Sequence, residues 1–133
     1  MWKDFSEYII TNYKDASKIV EVGVGNFPRV ALTLQEHLNM DIIMTDIKPY
    51  HPMVTVDDIN DPDLDIYSGA SLIYSIRPPE ELQKSIKIVA DCVGADIILK
   101  PFLTESFPHD NKFKLVNYKT AIFYKKCNNE MAD

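Results

Sequence analysis

The segment that most constrains the fold is a glycine-containing turn after a short apolar run. Residues 18–22 read Lys-Ile-Val-Glu-Val, a β-branched stretch typical of a buried strand, and Gly23-Val-Gly25 ends it. The glycines allow a tight turn and let a ligand approach the backbone, because neither carries a β-carbon. The strand, its turn and the helix expected after it predict the first unit of a parallel α/β sheet.

The rest of the chain alternates between predicted helices and predicted strands. Apolar residues at helical spacing predict a first helix within residues 1–16, and further helices are predicted over 27–38 and from 78 to about 92. Further strands are predicted at 41–46, 53–56, 70–76 and 96–99. Residues 112–118 and 120–126 alternate apolar and polar side chains, which predicts an antiparallel hairpin at a sheet edge.

This order predicts a three-layer, Rossmann-like α/β fold, with a mostly parallel sheet that ends in a C-terminal antiparallel hairpin. The 133 residues suffice for one domain, 1–133, with a polar tail at 127–133. The net charge of -6 gives no electrostatic attraction to phosphate backbones, so a nucleic-acid partner is not favoured. Neither a signal peptide nor an apolar stretch of roughly 18 residues is found, which predicts a cytoplasmic protein without a membrane partner.

Cysteine and histidine give no sign of a metal site. Cys92 and Cys127 lie far apart, and the three histidines lack zinc spacing, so neither a disulfide nor a bound metal is expected. Cys92 falls near the end of a predicted helix and is interpreted as a buried thiol. His51 follows the second strand near the predicted crevice, whereas His37 and His109 are interpreted as surface residues.

Two acids accompany the glycine turn. Asp46 stands 21 positions after Gly25, at the end of the second strand, where a carboxylate can accept hydrogen bonds from both ribose hydroxyls. Glu21 adds a carboxylate that suits a ligand with an ammonium or sulfonium group and repels a pyrophosphate. A dinucleotide fingerprint also requires glycine or alanine where Pro28 stands. The pattern therefore favours S-adenosylmethionine as cofactor over NAD.

The segment Glu21-Val-Gly-Val-Gly25, together with Asp46, resembles the first two motifs of class I S-adenosylmethionine-dependent methyltransferases. The short length and the run over residues 72–82 also resemble a family of small uncharacterised archaeal proteins with a methyltransferase-like Rossmann fold. Phe27 replaces the third glycine of the methyltransferase motif. The resemblance implies that Glu21, Gly23 and Gly25 line the methionine part of the cofactor and that Asp46 holds the ribose. It also implies that Ile47 lies against the adenine ring and that Asp58, or its neighbour Asp57, contacts adenine.

The run from Tyr74 to Pro79 ends the fourth strand and resembles, distantly, the Asn-Pro-Pro-Tyr signature of amino-group methyltransferases. The Asn or Asp of that signature is missing. The resemblance implies that Ser75 and Arg77 lie on the acceptor side, where Arg77 grips an anionic acceptor or the cofactor carboxylate. An exposed arginine before a helix is the alternative, and Lys100 likewise either meets an acidic substrate or is solvated.

Three functions remain open at this point. The first is a methyltransferase whose acceptor is unknown. The second is a non-catalytic cofactor-binding or regulatory module that acts as a partner subunit, which the short chain and incomplete acceptor signature favour. The third is an NAD-binding protein, which Glu21 and Pro28 disfavour.

Overall fold

The computed structural model describes residues 1–101 and 112–128 of the chain. The helices are α1 (Trp2–Asn12), α2 (Arg29–His37), α3 (Leu64–Tyr67) and α4 (Glu80–Val93). The strands are β1 (Lys18–Val22), β2 (Asp41–Asp46), β3 (Val54–Val56), β4 (Leu72–Ile76), β5 (Asp96–Lys100), β6 (Lys114–Tyr118) and β7 (Ala121–Lys126). His109 and the predicted tail from residue 129 onward lie outside the described residues.

The seven strands form one sheet in the order β3-β2-β1-β4-β5-β7-β6. The strands β1 to β5 are parallel, whereas β7 runs antiparallel to β5 and pairs with β6 in a hairpin at the edge. This arrangement confirms the predicted Rossmann-like fold with its C-terminal hairpin. Strand order reverses between β1 and β4, and ligands in open α/β sheets bind beyond the strand ends at such a reversal.

Two apolar clusters cover the two faces of the sheet. One packs α1 and α2 onto the sheet through Phe5, Ile9 and Leu34, and the other packs α4 through Ile86 and Val89. Strand β1 contributes to both, because alternate side chains of a strand point to opposite faces: Ile19 joins the first cluster and Val20 the second. The central strand is therefore held from both sides, and the turn that follows it starts from a fixed position.

Helix α3 was not predicted from the sequence. Asp63 begins it, because its side-chain Oδ1 accepts a hydrogen bond from the Asp65 backbone N–H at 3.1 Å. Asp57 accepts a second bond, at 2.6 Å, from the hydroxyl of the buried Tyr67. The acids of this segment therefore organise a short helix.

The interpretation of Cys92 as a buried thiol was wrong. The residue is exposed on α4. The buried face of this helix consists of Gln83, Ile86, Val89 and Ala90. Cys92 follows Ala90 by two residues, which is about 200° around an α-helix and so turns the thiol to the solvent side.

Within residues 1–101 and 112–128, no helix combines the length and the apolar character needed to cross a bilayer. In the same ranges, no group of three or more His, Cys, Asp or Glu side chains is arranged to hold a metal ion.

Candidate functional site

A cleft of about 510 Å³ lies at the carboxyl ends of β1 and β2. Five of the residues singled out from the sequence line it together: Gly23, Asp46, Ile47, Asp58 and the alternative to Asp58, Asp57. The loop after β3 and the first turn of α4 complete its walls. The volume falls within the range of about 300–1,000 Å³ that small-molecule sites occupy.

The glycine turn is fixed by the neighbouring strand. The backbone N–H groups of Gly23 and Val24 both donate to the Thr45 carbonyl, at 2.9 and 3.0 Å. Gly23 and Gly25 adopt φ values of +72° and +59°, a conformation that residues with a side chain rarely adopt. A β-carbon added at Gly25 would meet no atom within 4 Å. The turn therefore needs glycine for its backbone shape, and it borders open space.

Asp46 connects this turn to the loop after β2. Its Oδ2 accepts a hydrogen bond from the Gly25 N–H at 2.8 Å, and its Oδ1 accepts one from the Lys48 N–H at 3.2 Å. Each carboxylate oxygen can accept a second hydrogen bond. The half-buried carboxylate is thus held in one orientation and retains acceptor capacity toward the cleft.

The neighbouring acids Asp57 and Asp58 have different surroundings. Both oxygens of Asp57 are engaged, one by the Asp63 N–H at 3.0 Å and the other by the Tyr67 hydroxyl at 2.6 Å. Asp58 is exposed, and its Oδ1 accepts a bond from the Asn60 N–H at 2.9 Å. Asp57 therefore anchors α3, whereas Oδ2 of Asp58 accepts no side-chain hydrogen bond within residues 1–101 and 112–128.

Glu21 does not line the cleft but lies in the core near the start of the turn. It is 1% exposed, and the hydroxyl of the buried Tyr74 donates a 2.7 Å hydrogen bond to its Oε1. Burial raises the pKa of the Glu21 carboxyl to about 8, although the Tyr74 hydrogen bond lowers it in part. At neutral pH the group is mostly protonated.

The two residues predicted on the acceptor side are placed in different environments. Ser75 is 2% exposed, and its hydroxyl donates a 2.7 Å hydrogen bond to the Val22 carbonyl beneath the turn. Arg77 is exposed at the end of β4, where it adopts φ +53° and donates its backbone N–H to the Lys100 carbonyl at 2.7 Å. Ser75 thus supports the turn, and Arg77 lies directly after the last residue of β4.

Sequence reasoning missed two aromatic residues at this edge. Tyr50 lines the cleft from the loop after β2, and the signal for it was its position just beyond Asp46. Trp2 contacts Phe27 of the loop before α2, with ring centroids 5.2 Å apart, and lies against Arg77. No local pattern connects Trp2 with these residues, because only the folded sheet brings them together. His51, predicted near the crevice, is half-buried and is not among the residues that line it.

Solved structures of similar shape support the assignment of the fold. A methyltransferase from Silicibacter pomeroyi that uses S-adenosyl-L-methionine matches with a TM-score of 0.55 and 15% identity, over 94% of this chain and 91% of that one. Magnesium protoporphyrin IX methyltransferase from Synechocystis, solved with its cofactor bound, matches with a TM-score of 0.59 and 10% identity, over 93% of this chain and 75% of that one. The chain therefore has the Rossmann-like fold of class I methyltransferases.

Sequence comparison identifies the family. The family model described as the uncharacterised protein family UPF0146 matches residues 2–128, and the chain belongs to that family. A UPF0146 protein of Methanothermobacter thermautotrophicus is 46% identical over 125 residues, which is 94% of each chain. Relatives with the same family name occur in other archaea. The resemblance to a small archaeal family with a methyltransferase-like fold is thus confirmed.

The buried carboxyl of Glu21 predicts how stability depends on pH. Its pKa is about 8 in the folded protein and 4.5 when unperturbed, so between these values the folded state holds a proton that the unfolded chain has released. The free energy of unfolding should therefore fall as pH rises through this window, by about 1.4 kcal/mol per pH unit from this group. Urea unfolding of the wild type and of Glu21→Gln at pH 5.5, 6.5, 7.5 and 8.5 measures the slope.

Glutamine retains an acceptor for the Tyr74 hydroxyl but does not titrate, so Glu21→Gln should lack this part of the slope. Glu36→Gln, at an exposed position of α2, is the control and should keep the slope of the wild type. Equal slopes in wild type and Glu21→Gln would contradict the raised pKa.

The backbone of Arg77 predicts a difference between two substitutions. Both Arg77→Gly and Arg77→Ala remove the guanidinium, but only glycine adopts φ +53° without a steric cost from the β-carbon. We expect Arg77→Gly to be more stable than Arg77→Ala by about 1 kcal/mol in urea unfolding. Lys48→Gly and Lys48→Ala serve as the control, because Lys48 has no positive φ, and glycine should give no comparable gain there. If Arg77→Gly is no more stable than Arg77→Ala, the backbone of Arg77 is not strained.

Proposed function

We propose that the protein binds S-adenosylmethionine in the cleft beside the glycine turn and transfers its methyl group to an acceptor. The observation that carries this proposal is the arrangement around Asp46. Its carboxylate is fixed by the Gly25 N–H, and Gly23, Ile47 and Asp58 face the same space. A nucleoside needs an acid for its ribose and an apolar surface beside it for its base, and these residues supply both.

The nucleoside has a clear orientation in this proposal. The carboxylate oxygens of Asp46 accept hydrogen bonds from the two ribose hydroxyls, using the acceptor capacity that Gly25 and Lys48 leave. Ile47, which is 62% exposed at the cleft, packs against the adenine ring. Asp58 accepts from the adenine amino group. We assign this contact to Asp58 because the oxygens of Asp57 already hold Asp63 and Tyr67.

The charges of the cleft favour this cofactor over NAD. Asp46, Asp57 and Asp58 line it, and Lys48 is the only basic residue of its described lining. An excess of carboxylates repels a pyrophosphate, whereas S-adenosylmethionine carries no phosphate and has a positive sulfonium.

The methionine part of the cofactor extends along the turn formed by Gly23 and Gly25. The open space in front of Gly25 leaves room for it. In this proposal Glu21 is the buried acid near the base of the turn, held by Tyr74. Ser75 acts from below through its hydrogen bond to the Val22 carbonyl, and Arg77 lies at the acceptor end.

Methyl transfer requires mainly that the acceptor be held in line with the sulfonium methyl group, so the protein acts by positioning both reactants. A second candidate is a binding module that holds the cofactor without transferring the methyl group. The burial of Ser75 favours the binding module, because its hydroxyl donates to the Val22 carbonyl and is not exposed to a methyl acceptor.

Substitution of Asp46 tests the cofactor site. Asp46→Ala should weaken the binding of adenosylhomocysteine by about 1–3 kcal/mol, the cost of losing hydrogen bonds to a charged group. Isothermal titration calorimetry measures the difference. Asp61→Ala removes an exposed acid that does not line the cleft, and it should bind as the wild type does. Unchanged affinity in Asp46→Ala, or binding of NAD in place of adenosylhomocysteine, would refute the proposed site.

Incubation with S-adenosylmethionine carrying a labelled methyl group distinguishes the enzyme from the binding module. The protein is mixed with extract of a UPF0146-containing archaeon, and transferred label is followed by scintillation counting. An enzyme should transfer label in proportion to its concentration, and Asp46→Ala should transfer less. Tight binding of adenosylhomocysteine without any transferred label would identify the module.

A further inference from the structure

A cluster of two cations and one indole lies at the carboxyl ends of β4 and β5, outside the lining of the cleft. The Arg77 guanidinium carbon is 5.4 Å from the centroid of the Trp2 ring, and the Lys100 Nζ is 5.8 Å from the same centroid. We call Trp2, Arg77 and Lys100 the cationic corner. We propose that the cationic corner binds the anionic group, a carboxylate or a phosphate, of the methyl acceptor.

The backbone brings the two cations together. Strands β4 and β5 are parallel neighbours with Ile76 in register with Lys100, and the Arg77 N–H donates to the Lys100 carbonyl at 2.7 Å. Arg77 also holds a left-handed backbone conformation, which is costly for a residue with a side chain. Strain of this kind is found preferentially where a side chain must be aimed at a ligand.

The chemistry of the cationic corner suits an oxyanion. A guanidinium presents a planar fork of N–H donors that matches the two oxygens of a carboxylate or phosphate, and an ammonium adds a point charge. Among the described residues, Lys100 forms no ion pair, and its Nζ donates to the Ile122 carbonyl at 2.8 Å. Burial is the main cause that lowers the pKa of Lys100, and the positive charge of the neighbouring Arg77 lowers it further. An anion beside Lys100 would therefore stabilise its ammonium group.

The two acids of α1, Asp4 and Glu7, have hydrogen-bond partners in the β6–β7 hairpin. Glu7 accepts hydrogen bonds from Tyr118 and Lys119, and Asp4 accepts them from Thr120, so both are held by the β6–β7 hairpin. The Trp2 ring contacts the ring of Phe27, which lies two residues after Gly25 of the glycine turn. The anion is thereby placed at the ends of the strands, beside the position proposed for the cofactor. The assignment of this anion to a methyl acceptor rests on the proposed function. The existence of an anion site at the cationic corner does not depend on it.

Trp2 is the only tryptophan of the chain, so its fluorescence reports directly on the cationic corner. We would titrate the protein with inorganic phosphate and, separately, with acetate at constant ionic strength, so that general screening does not change. At least one of the two should produce a saturable change in emission. Phosphate alone would assign a phosphorylated acceptor and acetate alone a carboxylate; no saturable change with either would overturn the proposal.

Three variants locate the response. Arg77→Gln and Lys100→Gln should each weaken the apparent affinity for the anion at least roughly ten-fold, the scale of a lost charged hydrogen bond. Arg77→Lys should weaken it less, because the charge remains and only the fork is lost. Lys14→Gln removes the same charge at an exposed position after α1 and should respond as the wild type does. Thermal unfolding shows that each variant is folded, and wild-type affinity in Arg77→Gln and Lys100→Gln would overturn the assignment.

Adenosylhomocysteine separates an acceptor site from a site for the cofactor carboxylate. The response to the anion should persist when this ligand is present at saturation. Its loss would show that both compete for the cationic corner and would overturn the acceptor assignment. If calorimetry finds no adenosylhomocysteine binding while the variants still locate the anion, the anion site stands, and the acceptor role falls together with the proposed function.

Discussion

The hydrogen bond from the Gly25 N–H to Asp46 is the interaction on which the candidate site depends. It joins the turn after β1 to the end of β2, two points that are 21 residues apart in the chain. The Thr45 carbonyl strengthens the same connection by accepting from Gly23 and Val24. Because β1 is packed on both faces and pairs with β2 in parallel, the turn and the acid are supported side by side.

Burial divides the site residues into two groups. Asp46 and Asp58 keep contact with solvent and retain capacity for a ligand, whereas Glu21 and Ser75 are almost fully buried and bond to the protein itself. The second group holds the shape of the first: Ser75 bonds to the Val22 carbonyl, and Tyr74 bonds to Glu21 one strand away. A site of this kind combines an exposed layer that is open to a ligand with a buried layer that fixes the backbone.

The fold and the cleft were largely predictable because their signals are local. Residues 18–25 carry a strand and its turn, and Asp46 follows at the end of the next apolar run. The sequence did not predict that Glu21 would be buried, since that depends on Tyr74, which lies 53 residues later. Trp2 and Arg77 meet only because α1 packs onto the sheet face that the first apolar cluster covers. The error at Cys92 has another cause. The position of Cys92 around the axis of α4, relative to the buried residues of that helix, turns its side chain to solvent, and the apolar character of cysteine does not indicate that position.

The buried carboxyl of Glu21 also changes the charge that the native protein presents. The formal value of -6 counts this group as ionised. With a pKa of about 8 it is mostly neutral at pH 7, so the native molecule carries close to one negative charge fewer than its sequence suggests. This group by itself therefore takes up nearly one proton when the chain refolds at neutral pH, and its contribution raises the isoelectric point of the native state.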